Sequence, residues 1–312
     1  MRRDYSTGSF VELALSILGI YFFILLGFWG KKHFKERLDE KSMVLLAIYL
    51  LQPLLVFWGL TSRPIDRGVM EAPLIFLGVI ALILLLVYPA ASRLFDDPRE
   101  RSIVLVASIV GNTGNLGIPL GIALFGERSV IYTSMINLAN VFLVFTVGVY
   151  FYSRGSFSIL ESIRNIFRLP AIWFGTGAIL FNLAGWRVPG SLTLPLQMGA
   201  YATMVLQLMI FGIYLATVRV GQIRWGLLRF VGGVKFLLIP LLAWLALMPL
   251  DLQPLVFNLI LLELVVPMAV MNVNLAALYD CRPEQVAFLT FATSAAFLFY
   301  LFLLVEWGFR AG

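Results

Sequence analysis

Two stretches of the chain place polar and helix-breaking residues in apolar surroundings. The first reads Gly111-Asn-Thr-Gly-Asn-Leu-Gly-Ile-Pro119. Proline has no backbone N–H and its ring collides with the carbonyl one turn back. Glycine lowers the resistance to unwinding. The stretch predicts an interrupted helix in which Asn112, Thr113 and Asn115 satisfy freed backbone groups or meet a ligand. The second reads Leu262-Glu-Leu-Val-Val-Pro-Met-Ala-Val-Met-Asn-Val-Asn274. Here Pro267 breaks the helix, Glu263 lies one turn before it, and Asn272 and Asn274 follow. A broken helix offers two kinds of ion site. The N-terminal ends of its halves carry partial positive charge and free N–H groups, which suit an anion. The C-terminal carbonyls suit a cation or a buried cationic side chain. If the two breaks cross, a pair of N-terminal ends converges on one small anion. The candidate binding residues are then Asn112, Thr113, Asn115, Asn272 and Asn274, at the breaks that Pro119 and Pro267 mark.

Glu263 and Lys235 are the charged residues that fall well inside apolar runs. An ionisable group at that depth is costly and is read as functional by default. Glu263 is expected to ligate Na+, to carry a proton, or to pair with Lys235. Lys235 either adds positive charge for an anion or reaches back towards the membrane surface. His33 is the sole histidine and sits in a basic loop, and Cys281 is the sole cysteine. These exclude an intramolecular disulfide and a thiolate metal cluster. There is no nucleophile–base pair either, so the chain does not read as an enzyme, and no cofactor is expected beyond Na+ or H+ as coupling ion.

Lipid is the solvent that fits these residues. Of 312 residues, 61% are hydrophobic and 13% charged, against about 25% charged in soluble proteins. Apolar runs predict spans at about 10–30, 43–61, 72–94, 102–125, 129–152, 169–186, 197–218, 226–249, 254–279 and 284–308. The first run is too long for a signal peptide core, and it is expected to remain as a span. Loops after odd-numbered spans hold fifteen Lys and Arg residues, against seven on the other side. Positive residues favour the cytoplasm. This places both termini outside, in a multi-pass protein of the cell (inner) membrane. The net charge of +6 is thus a topology signal, and nucleic acid is not an expected partner. Trp29, Trp58, Trp186 and Trp307 fall near span ends, as an aromatic belt predicts.

The second half echoes the first at an offset of about 155 residues. Gln52 matches Gln207, Pro89 matches Pro240, and the charged turn Phe125-Gly-Glu-Arg128 matches Tyr279-Asp-Cys-Arg282. An odd number of spans per repeat makes the halves insert with opposite orientation, as in many secondary transporters. The expected organisation is a five-helix repeat at 1–152, a cytoplasmic linker at 153–168 and a second repeat at 169–312. Gln52 and Gln207 join Glu263 and Lys235 as candidate ion-coupling residues.

The stretch Asn112-Thr113-x-x-x-Gly117-Ile118-Pro119-Leu120, with the turn Phe125-Gly126, resembles the fourth-helix signature of the auxin efflux carrier family, which includes plant PIN proteins and bacterial malonate-type carriers. The ninth span, with Pro267 and Tyr279, looks like that family's second crossover helix. The resemblance implies an all-α polytopic fold of ten helices, a scaffold and a transport domain interleaved across both repeats, and organic anions moved by an elevator-like shift. Carried across by motif, it implicates Asn112, Thr113, Pro119 and Pro267. The long cytoplasmic loop of plant members has no counterpart in Ser153–Arg168. Glu263 also departs from the plant pattern and looks instead like the sodium-ligating glutamate of bile-acid/sodium symporters, which share the architecture.

The expectation is a secondary transporter of a small carboxylate, coupled to Na+ or H+, with the lipid bilayer and a second copy of the chain as candidate partners. A non-transporting sensor and a membrane-embedded enzyme are the alternatives. Flux separates the first from transport, and chemical conversion of solutes separates the second.

Overall fold

A computed structural model describes residues 7–153, 167, 170–217, 223–305 and 309. Most of the expected linker at 153–168 lies outside the described residues, as do Arg2, Arg3 and Trp307. Every described element is helical. In chain order they are α1 (Thr7–Phe34), α2 (Ser42–Thr61), α3 (Arg67–Leu94), α4 (Pro98–Ile109), α5 (Thr113–Phe125), α6 (Glu127–Tyr152), α7 (Pro170–Leu183), α8 (Gly190–Thr217), α9 (Trp225–Leu247), α10 (Pro254–Val265), α11 (Met271–Leu278) and α12 (Pro283–Leu303). Six of them, α2, α3, α6, α8, α9 and α12, are long and apolar enough to cross a membrane. At 1.5 Å per residue, the 12 residues of α4 or of α10 rise only about 18 Å, well short of a roughly 30 Å hydrocarbon layer.

Prolines shape several helices without ending them. Wide π-type turns at Leu46–Leu51, Thr113–Gly117 and Val234–Leu238 are each followed, two residues on, by Pro53, Pro119 and Pro240. A widened turn moves the preceding carbonyl away from the ring and absorbs the missing N–H. Side chains start other helices. Asp66 Oδ1 accepts from the Val69 N–H at 2.8 Å at the head of α3, and Asp97 Oδ1 accepts from the Arg99 N–H at 2.8 Å at the head of α4.

Packing sorts the helices into two groups. α1, α2, α7 and α8 form one group, while α3, α4, α5, α6, α9, α10, α11 and α12 surround the two chain breaks at 110–112 and 266–270. Within the first group α1 and α8 touch backbone to backbone. A Cβ on Gly27 would overlap the carbonyl of Met209, and one on Gly212 would overlap that of Ile24. Small residues permit this approach where lipid offers no hydrophobic drive for helix pairing. Within the second group, Ile103–Ile109 of α4 and Val256–Val265 of α10 are buried at every position, Ser108, Asn258 and Glu263 included.

A smaller apolar cluster sits where the groups meet. It joins Leu55 and Trp58 of α2, Ile118 of α5, Val130 of α6, and Ala200 and Met204 of α8. Trp58 is therefore 8% exposed and packed on Tyr201, ring centroids 5.5 Å apart, and it does not join the aromatic belt. Trp29 and Trp186 are exposed as expected. At one end of the molecule Arg282, between α11 and α12, pairs with Asp97 and with Glu100 at 2.5 Å, and Arg224 reaches Glu100 at 3.1 Å.

Candidate functional site

The two breaks meet. Gly111 and Met268 form an isolated antiparallel bridge. The Asn112 N–H donates to the Pro267 carbonyl at 2.8 Å, and the Ala269 N–H donates to the Val110 carbonyl at 3.2 Å. Unwound backbone buried among helices must find partners for its polar groups, and here each break supplies them to the other.

Side chains take up the carbonyl ends of the half-helices. Lys235 Nζ donates to the Val266 carbonyl at 3.4 Å, just past α10. Asn272 Nδ2 donates to the Val110 carbonyl at 3.3 Å, just past α4. Lys235 is 1% exposed, so its stem does not reach a surface. A cation at a helix C-terminus meets the negative end of the helix dipole.

The opposite, N-terminal ends face a cavity of about 110 Å³. Residues 111–115 form one wall, and residues 269–271 with Asn274 form another. Gln52 of α2 and Gln207 of α8 close it from the first helix group, and Gln207 Nε2 donates to Gln52 Oε1. From the crossing the cavity extends towards Val44, Ala171 and Phe145. No acidic or basic side chain is among its described lining residues. The electrostatic character comes from side-chain amides and from the N–H groups of Thr113, Gly114 and Asn115 at the head of α5 and of Met271 at the head of α11, whereas the next two N–H groups of α11, those of Asn272 and Val273, are taken by the Ala269 and Val270 carbonyls.

Asn137 and Asn140 complete the polar wall from α6. Asn140 Nδ2 donates to the Gly111 carbonyl and to Thr113 Oγ1, both at 2.9 Å, and Thr113 Oγ1 donates to Asn137 Oδ1 at 2.9 Å. Tyr214 Oη donates to Asn274 Oδ1. Among the described residues, Asn112 Nδ2, Asn137 Nδ2, Asn140 Oδ1 and Gln207 Oε1 are buried without a hydrogen-bond partner. Buried polar atoms seldom go unpaired, and a cluster of them on one cavity is the arrangement of a ligand site.

The sequence candidates divide accordingly. Asn112, Thr113, Asn115, Asn274, Gln52 and Gln207 line the cavity. Pro267 contributes its carbonyl to the crossing, and Asn272 caps α4. Pro119 lies inside α5, beyond the wide turn, and does not reach the cavity. Glu263 is 0% exposed and also lies off the cavity, with its carboxyl against Gly117. Neither of its oxygens has a hydrogen-bond partner among the described residues, and no ion pair joins it to Lys235. Asn137 and Asn140 were not among the candidates. Their signal was present as two asparagines one turn apart on a single face of an apolar helix.

Residues 13–168 match the model of a family described as membrane transport protein. A protein of Methanocaldococcus jannaschii described as an uncharacterised transporter is 24% identical over 305 residues, covering 94% of this chain and 96% of its own length. Long apolar helices and this family match define an integral multi-pass membrane transporter. The chain belongs to the membrane transport protein family, the auxin efflux carrier group that its fourth-span signature resembles.

Proposed function

We propose that the protein is a secondary carrier of a small organic anion, bound as a carboxylate at the crossed breaks. The observation that carries this is the cavity, with no charged side chain among its described lining residues, onto which two half-helix N-termini open. A carboxylate there receives N–H groups from the head of α5 and from Met271 of α11, and amide donors from Asn112 and Asn137. Ten spans in two inverted five-helix repeats account for paired breaks at equivalent places in the two halves. The termini lie outside the cytoplasm in the cell membrane. α1, α2, α7 and α8 form the scaffold, and the helices around the breaks form the part that shifts, in an elevator-type alternation. The reach of the cavity towards Val44, Ala171 and Phe145, with the apolar cluster on the other side, corresponds to a state facing the basic, cytoplasmic side. Glu263 is the coupling group and takes Na+ or H+, since a buried carboxylate without partners gains most from a bound cation. Lys235 holds the carbonyl end of α10 through its hydrogen bond to Val266.

Thermal stabilisation of the purified protein across a panel of carboxylates, with and without Na+ and at two pH values, tests this. A ligand of the folded state raises apparent stability with its saturation. A carboxylate whose shift disappears in Asn112→Ala supports the assignment. Stabilisation by neutral or cationic solutes alone removes it.

A further inference from the structure

A second cavity lies away from the crossing. It is open to the outside, with Arg63, Trp186 and Arg187 exposed, and holds about 610 Å³ between the turns that join α2 to α3, α5 to α6 and α7 to α8. Arg63, Arg187, Trp58 and Trp186 line it, and Glu127 is the carboxylate among its described lining residues. Glu127 accepts a hydrogen bond from Tyr201 Oη at 3.1 Å. Neither Arg63 nor Arg187 forms an ion pair among the described residues. Two guanidinium groups against one carboxylate leave the cavity with a positive surplus. The backbone that carries Arg63 is held in place. Asn182 Nδ2 donates to the Leu60 carbonyl at 2.7 Å and to the Arg63 carbonyl at 2.6 Å, and its Oδ1 accepts from the Ile65 N–H at 3.0 Å.

This cavity and the central one share two helices. Along α2, Gln52 faces the central cavity, Leu55 belongs to the apolar cluster, and Trp58 belongs to the cluster and to the outer cavity. That path is six residues, about 9 Å of helix. Along α8 the order repeats with Gln207, then Met204 and Ala200, then Gln197. The apolar cluster is thus a layer between two polar chambers, closed where the two helix groups meet.

We propose that the outer cavity is a second binding site for the carried anion, an access site beyond the apolar layer. This rests on the carrier reading. Arg63 and Arg187 hold the carboxylate, as guanidinium groups do, and Trp58 and Trp186 offer apolar faces to the rest of the solute. Leu55, Trp58, Ile118 and Met204 must part before the anion passes to the crossing.

Calorimetric titration of the full-length purified protein with malonate and with benzoate tests this. Two sites per chain are expected. Asn112→Ala removes one of them, and Arg63→Gln with Arg187→Gln removes the other. Arg187→Gln alone weakens that second site tenfold or more, with the melting temperature unchanged. One site per chain, lost in Asn112→Ala and untouched by the arginine substitutions, overturns the access site and leaves the carrier reading standing. Loss of both sites in the arginine variant also overturns it, because the two sites would then not be distinct. No binding of either anion to any form removes both readings.

Discussion

The carboxyl of Glu263 occupies the space where Gly117 has no side chain. A Cβ on Gly117 would overlap Cδ and both oxygens of that carboxyl. Gly117→Ala therefore forces Glu263 or α5 to move. Overpacking of this kind costs about 1–3 kcal/mol, read as a lowered melting temperature. Adding Glu263→Ala should restore most of the loss, because the obstructing group is gone. Strictly additive losses in the double variant would show that the two residues do not share this space.

Glu263→Gln keeps the shape and removes the charge and the titratable proton. Uptake into proteoliposomes should lose its dependence on the Na+ or H+ gradient while the variant still folds. Full transport with full gradient dependence would rule out Glu263 as the coupling group.

Asn140 serves the crossing from outside it. Asn140→Ala leaves the Gly111 carbonyl and Thr113 Oγ1 short of a donor. A buried group left unpaired costs about 1–3 kcal/mol, and the wall of the cavity loses its support. Both melting temperature and carboxylate affinity should fall. Unchanged affinity would remove Asn140 from the site.

Gly212 and Gly78 make a matched pair of tests. Gly212→Ala drives a Cβ into the backbone of α1, whereas Gly78, on α3, has nothing within 4 Å of an added Cβ. Gly212→Ala should destabilise the protein markedly. Gly78→Ala should be neutral, or stabilising by up to about 1 kcal/mol from helix propensity. Equal melting temperatures would mean that α1 and α8 do not meet as closely as described.

Much of this architecture could be read from residue types. The apolar runs anticipate the helices, and Pro267 with its neighbours anticipates the second break. The first break was less legible. Pro119 marks the neighbourhood, but the chain unwinds at 110–112 and the proline is accommodated by a wide turn. A single proline cannot show whether a helix will stop or widen, because that depends on what the neighbouring helices offer the freed backbone. The partner here is Pro267 and its flanks, about 150 residues away. The same limit applied to Gln52 and Gln207, read as ion-coupling residues from their matched spacing. In the structure they hydrogen-bond to each other at the wall of the cavity, whereas Glu263 packs on Gly117. Asn137 and Asn140 were legible in type and spacing. Their importance depends on facing the breaks, which only tertiary packing decides.

If the proposed anion is the solute, the absence of charged side chains from the described wall of the central cavity has an electrical consequence. An anion bound there would add its charge to the part that carries it, so the loaded protein would differ from the empty one by the full charge of the solute. Movement of that charge across the bilayer is electrical work, about 2.3 kcal/mol per charge for every 100 mV. A membrane that is negative inside then biases unaccompanied anions outward, and an inward cycle requires enough co-transported cations to reverse the sign.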